Sequence, residues 1–317
     1  MQLSAITRKS ALSAILLLVA ILLAAALRAR LASFGVELSD SAYPDRLFSF
    51  VLAMVLFLCG GFVEGKMLPR SGLSKSYCTL PIPLYGVLAC GVVLSPDTLL
   101  AAAVSFCFAV AIYLLLRSLH SAGEKDSVFF ASILLGVMVL LYPPSIVLVA
   151  VIPLSVFILA LSLRQALIMV VGYALPLLAA SYAVWYGGDD MLQFGRNLIS
   201  VLSIQGMGEI VQIPYLSITM IVAVAAILVW GAVYVVLRPD KRFMMVRVRR
   251  SLNLFVWIIL LTLLMLFLSS CDLIVVTIIA VPLTILLSFV LDAMPNNQST
   301  IAYWVLLTLF VLHLFIE

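Results

Sequence analysis

Asp40 and Asp45 stand five residues apart in a polar stretch, Arg28–Arg46, that reads RARLASFGVELSDSAYPDR. Arg28, Arg30, Glu37 and Arg46 share it, so six of the chain's 32 charged residues fall within nineteen positions. A carboxylate beside a membrane surface can serve as a base, or can hold a divalent cation that in turn holds a phosphate. Arg46, Arg28 and Arg30 could grip the phosphate oxygens through forked hydrogen bonds. An ordinary solvated loop, kept out of lipid by its charges, has the same composition. The pair means chemistry only if the rest of the chain holds it in place.

Other groups of this kind are few. Asp97 closes a Ser95-Pro96-Asp97 turn before Thr98, where an aspartate caps the helix that follows and also brings a second acid to the same side. Asp189 and Asp190 open a further helix, where acids suit the positive helix end. Arg196 lies within that helix, placed to meet a phosphate. His120 and His313 are isolated, and no spacing of His, Cys, Asp or Glu defines a metal, so a divalent cation enters only through the acids above. Nucleotide-binding loops are missing. Gly60-Gly61 and Gly187-Gly188 read as span-end or turn glycines.

The elements that must position these residues are hydrophobic almost throughout. The chain is 65% apolar and 10% charged, with a mean hydropathy of +1.29, far from the composition of soluble domains. Crossing ~30 Å of hydrocarbon takes roughly 17–25 apolar residues in a helix. Eleven such runs fit: Ala11–Leu27, Leu47–Val63, Tyr77–Leu94, Thr98–Leu116, Ser127–Leu141, Ser145–Leu163, Ala166–Val184, Tyr215–Val236, Leu252–Leu268, Leu273–Val290 and Ile301–Ile316. The expectation is an all-α polytopic membrane bundle, one embedded domain over residues 1–317. Arg8 and Lys9 precede the first run, and Arg28 and Arg30 follow it without a small-residue cleavage site, which reads as a retained anchor.

Lys and Arg set the orientation. With a cytoplasmic N-terminus, 14 of the 18 cations fall on the inner side, and Arg28, Arg30, Arg46 and Arg196 are the four outside. The C-terminus then lies outside. The strongest inner segment, about 237–251, enforces this topology and meets anionic lipid. The net charge of +4 is therefore a membrane feature and implies no nucleic acid. Residues 191–205 place Met191, Phe194, Leu198, Val201 and Leu202 opposite Gln193, Arg196, Asn197, Ser200 and Ser203, an amphipathic helix in the outer interface. Tyr142-Pro143-Pro144 cannot continue a helix and marks a tight hairpin or a re-entrant pair. The five cysteines are scattered, with no disulfide framework expected. Ionisable residues in mid-span are nearly absent, which counts against an ion-coupled transporter.

A cytoplasmic N-terminus, a first span, an acid-bearing outer loop, and then many spans with an outer interfacial helix resemble the GT-C glycosyltransferases. The stretch LLGVMVLLYPPSIVLVAVIPLSVFILAL, followed by Arg164 and a further span, is similar to their apolar middle. The resemblance extends loosely to about Val236. It implies a bacterial inner-membrane enzyme that takes sugar from a polyprenyl-phosphate carrier at the outer face. The catalytic acid would be Asp45 or Asp40, with Asp97 as a second acid and Arg46, Arg196 and Arg28 on the carrier phosphate. The first loop is much shorter than that family's, and no large outer domain is present. The other reading is a non-enzymatic membrane subunit or scaffold of a transport or secretion complex, whose partners are membrane lipids and other membrane proteins.

Overall fold

The computed structural model describes residues 14–23, 43–73, 79–90, 98–118, 125–188, 191–201, 219, 222–230, 246–266, 268 and 274–316. All regular structure among them is helical. In chain order the helices are α1 (Ala14–Leu23), α2 (Tyr43–Arg70), α3 (Pro81–Cys90), α4 (Thr98–Ser118), α5 (Lys125–Leu141), a 3-10 segment (Pro143–Ala150), α6 (Val151–Leu159), α7 (Leu163–Tyr186), α8 (Met191–Val201), α9 (222–230), α10 (Val246–Met265), α11 (Ile274–Ala293) and α12 (Asn296–Ile316). Five stretches, Phe48–Pro69, Leu99–Ser118, Leu163–Tyr186, Val248–Met265 and Ile274–Ala293, are long and apolar enough to cross a membrane. Helices are what such sequence must form, because hydrocarbon offers the backbone no hydrogen-bond partner outside its own segment. Shorter apolar helices at Ala14–Leu23, Asp126–Leu141, Pro143–Leu159 and Asn297–Leu312 coincide with four more of the expected runs. The chain is a helical, multi-span membrane protein.

Composition does not reveal which helix is central. α11 packs against α2, α3, α4, α10 and α12, and 78% of its span is buried, against 22% for α7. The outer flank of α7 exposes Leu167, Val170, Val171, Leu175 and Leu178. Lipid tails are as apolar as leucine, so such a face needs no protein cover, and helix pairs are held instead by close packing of small residues. The α5–α7 pair shows this. A Cβ on Gly136 would lie 2.5 Å from both the Tyr173 carbonyl oxygen and Pro176 Cγ. A Cβ on Gly172 would collide with the Ser132 hydroxyl and come within 3.0 Å of the Phe129 carbonyl. Position numbers rise together along both helices at these contacts, so α5 and α7 run parallel.

The helix ends show how the chain returns. Gly72, at φ 77°, closes the turn after α2. Ala160 takes the left-handed conformation at the end of α6, and Ser162 with Gln165 forms a capping box that opens α7. At Tyr142 the backbone is extended, and Pro143 and Pro144 open the 3-10 segment, where a missing N–H costs no helical bond. The 3-10 segment packs on α5, and α6 on α7 and α10, so Pro143–Leu159 runs back and the Tyr142-Pro143-Pro144 turn is a reversal. The first residues of α10 tie the ends together. Arg250 donates to the carbonyl of Leu159 at 3.4 Å, and the Ser251 hydroxyl donates to the Ser71 carbonyl at 3.2 Å. A cation on the last carbonyls of α6 also complements the helix dipole. These links gather the end of α2, the end of α6 and the starts of α5, α7 and α10 at one end of the bundle. Lys66, Arg70, Lys125, Arg164, Arg247, Arg249 and Arg250 belong to those segments, so this is the cation-rich end.

Candidate functional site

Two sets of residues stand out, at different depths. The first is the end opposite the cations, where α2 begins. Asp45 and Arg46 lie in the first turn of α2, a 28-residue helix whose far end is held by Ser251. Their side chains, and Asp40, Asp97, Arg28 and Arg30 entirely, lie outside the described residues. α7 finishes at the same end with Tyr182, Trp185 and Tyr186, all exposed, the Tyr182 and Trp185 rings 5.6 Å apart. Exposed aromatic residues at a span end are the usual marker of the membrane–water boundary. Gly188, at φ 100°, turns the chain into α8. In α8 Phe194, Leu198 and Val201 are half-buried, while Arg196 and Ser200 are exposed, as the spacing predicts. The part of the expected helix beyond Val201 lies outside the described residues. α8 packs on α7 and the 3-10 segment, whereas α2 packs on α3, α4 and α11. Arg196 and Asp45 therefore share an end of the bundle but belong to different flanks.

The second set was not legible in the sequence. The Leu47–Val63 run puts Glu64 just past a span end, yet α2 continues to Arg70 and Glu64 is completely buried. Gly60 and Gly61, which read as span-end or turn glycines, lie inside the helix and face neighbours. A Cβ on Gly60 would sit 3.0 Å from the Tyr85 hydroxyl, one on Gly61 2.8 Å from Leu18 Cδ2, and one on Gly65 3.0 Å from Ile82 Cγ1. The correction has a simple cause. Glycines spaced around a turn of helix allow another helix to approach, and they serve span packing as readily as span ends. The pattern Gly60-Gly61-x-x-Glu64-Gly65 was the available signal, an acid enclosed by small residues.

Polar groups accompany Glu64 along the same seam. The Ser105 hydroxyl donates to the Thr277 carbonyl at 3.1 Å, which leaves the Tyr85 hydroxyl to donate to Ser105 Oγ at 2.7 Å, since serine has one hydrogen to give. Thr277 donates to the Ile274 carbonyl at 2.7 Å. Two turns along α11, the Thr284 hydroxyl faces the Glu64 carboxyl and donates its hydrogen to the Ala280 carbonyl at 2.5 Å. Among the described residues, neither carboxyl oxygen of Glu64 has a full hydrogen-bond partner, nor has the buried hydroxyl of Ser288 one turn further on. Interhelical hydrogen bonds in membranes contribute on average about 0.6 kcal/mol each. Ser105→Ala removes two and should cost about 1 kcal/mol, Tyr85→Phe about half of that, and the double variant less than the sum. Unfolding of the purified variants in detergent checks this, and strict additivity would mean that the two hydroxyls do not communicate.

No family model, curated protein or solved structure matches the chain.

Proposed function

We propose that this protein is an eleven-span inner-membrane transferase that uses a lipid-linked, phosphate-bearing sugar donor at its outer face. Asp45 acts as base or cation ligand, and Arg46 with Arg196 receives the carrier phosphate. One observation carries the reading. Asp45 and Arg46 ride on the first turn of a long anchored helix, at the bundle end that also bears the aromatic boundary of α7 and the amphipathic α8. Groups held by a helix are positioned more closely than groups on a loop. Asp40, Asp97 and Arg28, which lie outside the described residues, are the further candidates for the same chemistry.

The direct test supplies the purified protein with a polyprenyl-phosphate sugar. Release of the polyprenyl phosphate, dependent on an acceptor, supports the reading. No turnover and no binding of the carrier would end it. Topology is tested separately. Reporter fusions at Arg242 and Glu317 should report the cytoplasm and the outer side respectively. Both fusions on one side would break the eleven-span arrangement.

A second reading is favoured by a different observation, that α8 and the start of α2 lie on different flanks. A non-enzymatic membrane subunit needs no convergence of Asp45 and Arg196. Its apolar flank on α7 would rest on lipid or on a partner subunit. Stoichiometric co-purification of another membrane protein, with no carrier binding, would select this reading.

A further inference from the structure

Glu64 belongs to neither reading. It sits inside the span Phe48–Pro69, 0% exposed, and among the described residues neither carboxyl oxygen has a full hydrogen-bond partner. An ionised carboxylate left alone in such a place costs several kcal/mol, and acids in spans are kept where they pair with something. Among the described residues, the elements packed around it supply no cation. α1 carries no titratable side chain, and α3 presents the Tyr85 hydroxyl one turn before Glu64, at Gly60. On α4 the titratable groups are Cys107, Tyr113 and Arg117, the last at the helix end, and on α11 the only one is Asp292, also at the helix end. Cys59 and Lys66 of α2 itself are exposed, on another face from Glu64.

The group that does face the carboxyl, the Thr284 hydroxyl, brings one hydrogen and no positive charge. That one hydrogen is shared with the Ala280 carbonyl, so it leaves the two carboxyl oxygens short of full hydrogen bonds and cannot by itself offset a buried negative charge. A fully buried carboxylate with one shared hydroxyl beside it is completed by a positive charge between the oxygens. Ser288 adds a third buried oxygen on the same stripe of α11, one turn away, also without a partner. The glycines at 60, 61 and 65 let the neighbouring helices close around this point, so water does not dilute the interaction.

We propose that Glu64 and Thr284, with Ser288 beside them, form a membrane-embedded site for a small monovalent cation, either a proton or an alkali ion. The proton form makes the carboxyl a donor to the Thr284 oxygen. The alkali form uses the carboxylate and the hydroxyl oxygens as ligands. In both, the cation neutralises the acid and holds α2 to α11. The site stands whether or not the outer face proves to be catalytic.

The test is infrared difference spectroscopy on the full chain in lipid nanodiscs, stepping pH at constant salt and then stepping sodium chloride against choline chloride at constant pH. The wild type should show a protonated-carboxyl stretch that Glu64→Gln lacks, and Thr284→Val should shift its frequency. Loss of the band at alkaline pH, with no response to sodium, identifies the proton as the ion. Loss of the band on adding sodium but not choline identifies an alkali ion that competes with it. Glu64→Gln keeps shape and hydrogen-bonding capacity, and its fold is checked by size-exclusion profile. Glu64→Asp, which should retain a weaker carboxyl band, provides a second route if the glutamine variant fails to fold. Spectra of wild type and Glu64→Gln that coincide at every pH and sodium concentration overturn the proposal.

Discussion

Gly136→Ala should loosen the α5–α7 pair and destabilise the protein by about 3 kcal/mol, the upper part of the range for overpacking a tight interior. The new methyl group would lie 2.5 Å from the carbonyl oxygen of Tyr173 and 2.5 Å from Pro176 Cγ. Neither can step aside, because one is backbone and the other is part of a ring closed on its own backbone. The helices themselves must separate, and with them the contacts on both sides. Alanine is the better helix former by about 1 kcal/mol, so the propensity gain opposes the clash and is outweighed by it. Gly195 on α8 is the matched control, since a Cβ there meets nothing within 4 Å. Gly195→Ala should be neutral or stabilising by up to about 1 kcal/mol. Thermal denaturation of the two variants in the same detergent decides the matter. A Gly136→Ala protein that melts with the wild type would mean that α5 and α7 do not approach so closely.

Asp45→Asn should lower transfer from a polyprenyl-phosphate sugar by at least about 10²-fold, the lower range for loss of a positioned acid or base. Asp40→Asn should cost much less. The difference follows from what carries each carboxylate. Asp45 stands in the first turn of α2, two residues into a helix of 28, and the rigidity of that helix is transmitted to it. Asp40 precedes the helix, in the polar Ser39–Ser41 stretch. Asparagine keeps the size of aspartate and can still accept a hydrogen bond at the helix start, so insertion and abundance should not change. Initial rates at saturating carrier, normalised to folded protein, provide the measurement. Equal rates for Asp45→Asn and wild type would remove Asp45 from the chemistry and leave the subunit reading in place.

Much of the architecture could be read without coordinates. Of the eleven apolar runs, hydropathy located five helices long enough to cross a membrane and four shorter ones, because a backbone in hydrocarbon has no alternative to bonding itself. The 3.6-residue spacing of Phe194, Leu198 and Val201 described the helix of α8, since an element at a water boundary must sort its faces. Pro143 and Pro144 marked the reversal after α5. The clustering of Lys66, Arg70, Lys125, Arg164 and Arg247–Arg250 at one end matches the alternation inferred from their positions, because each connection turns the chain through the same thickness.

The candidate site was less legible, and for a definite reason. In a soluble protein a buried helix face differs in composition from an exposed one. In a membrane protein lipid and protein interior are equally apolar, so hydropathy cannot tell α11, the buried centre, from α7, the open flank. Nor could it tell a carboxyl at a span end from one enclosed by other helices. Glu64 lies one residue beyond a plausible boundary, and only the packing of α1 and α3 against Gly60, Gly61 and Gly65, with α11 also packed on α2, moves it from the surface to the interior. By itself the sequence determined that the chain is helical, membrane-embedded and asymmetric in its cations, because those properties depend on composition along the chain. Which helices meet, and therefore which acid is left facing Thr284 without a partner, depends on close contact between residues far apart in the chain, and that the tertiary structure alone decided.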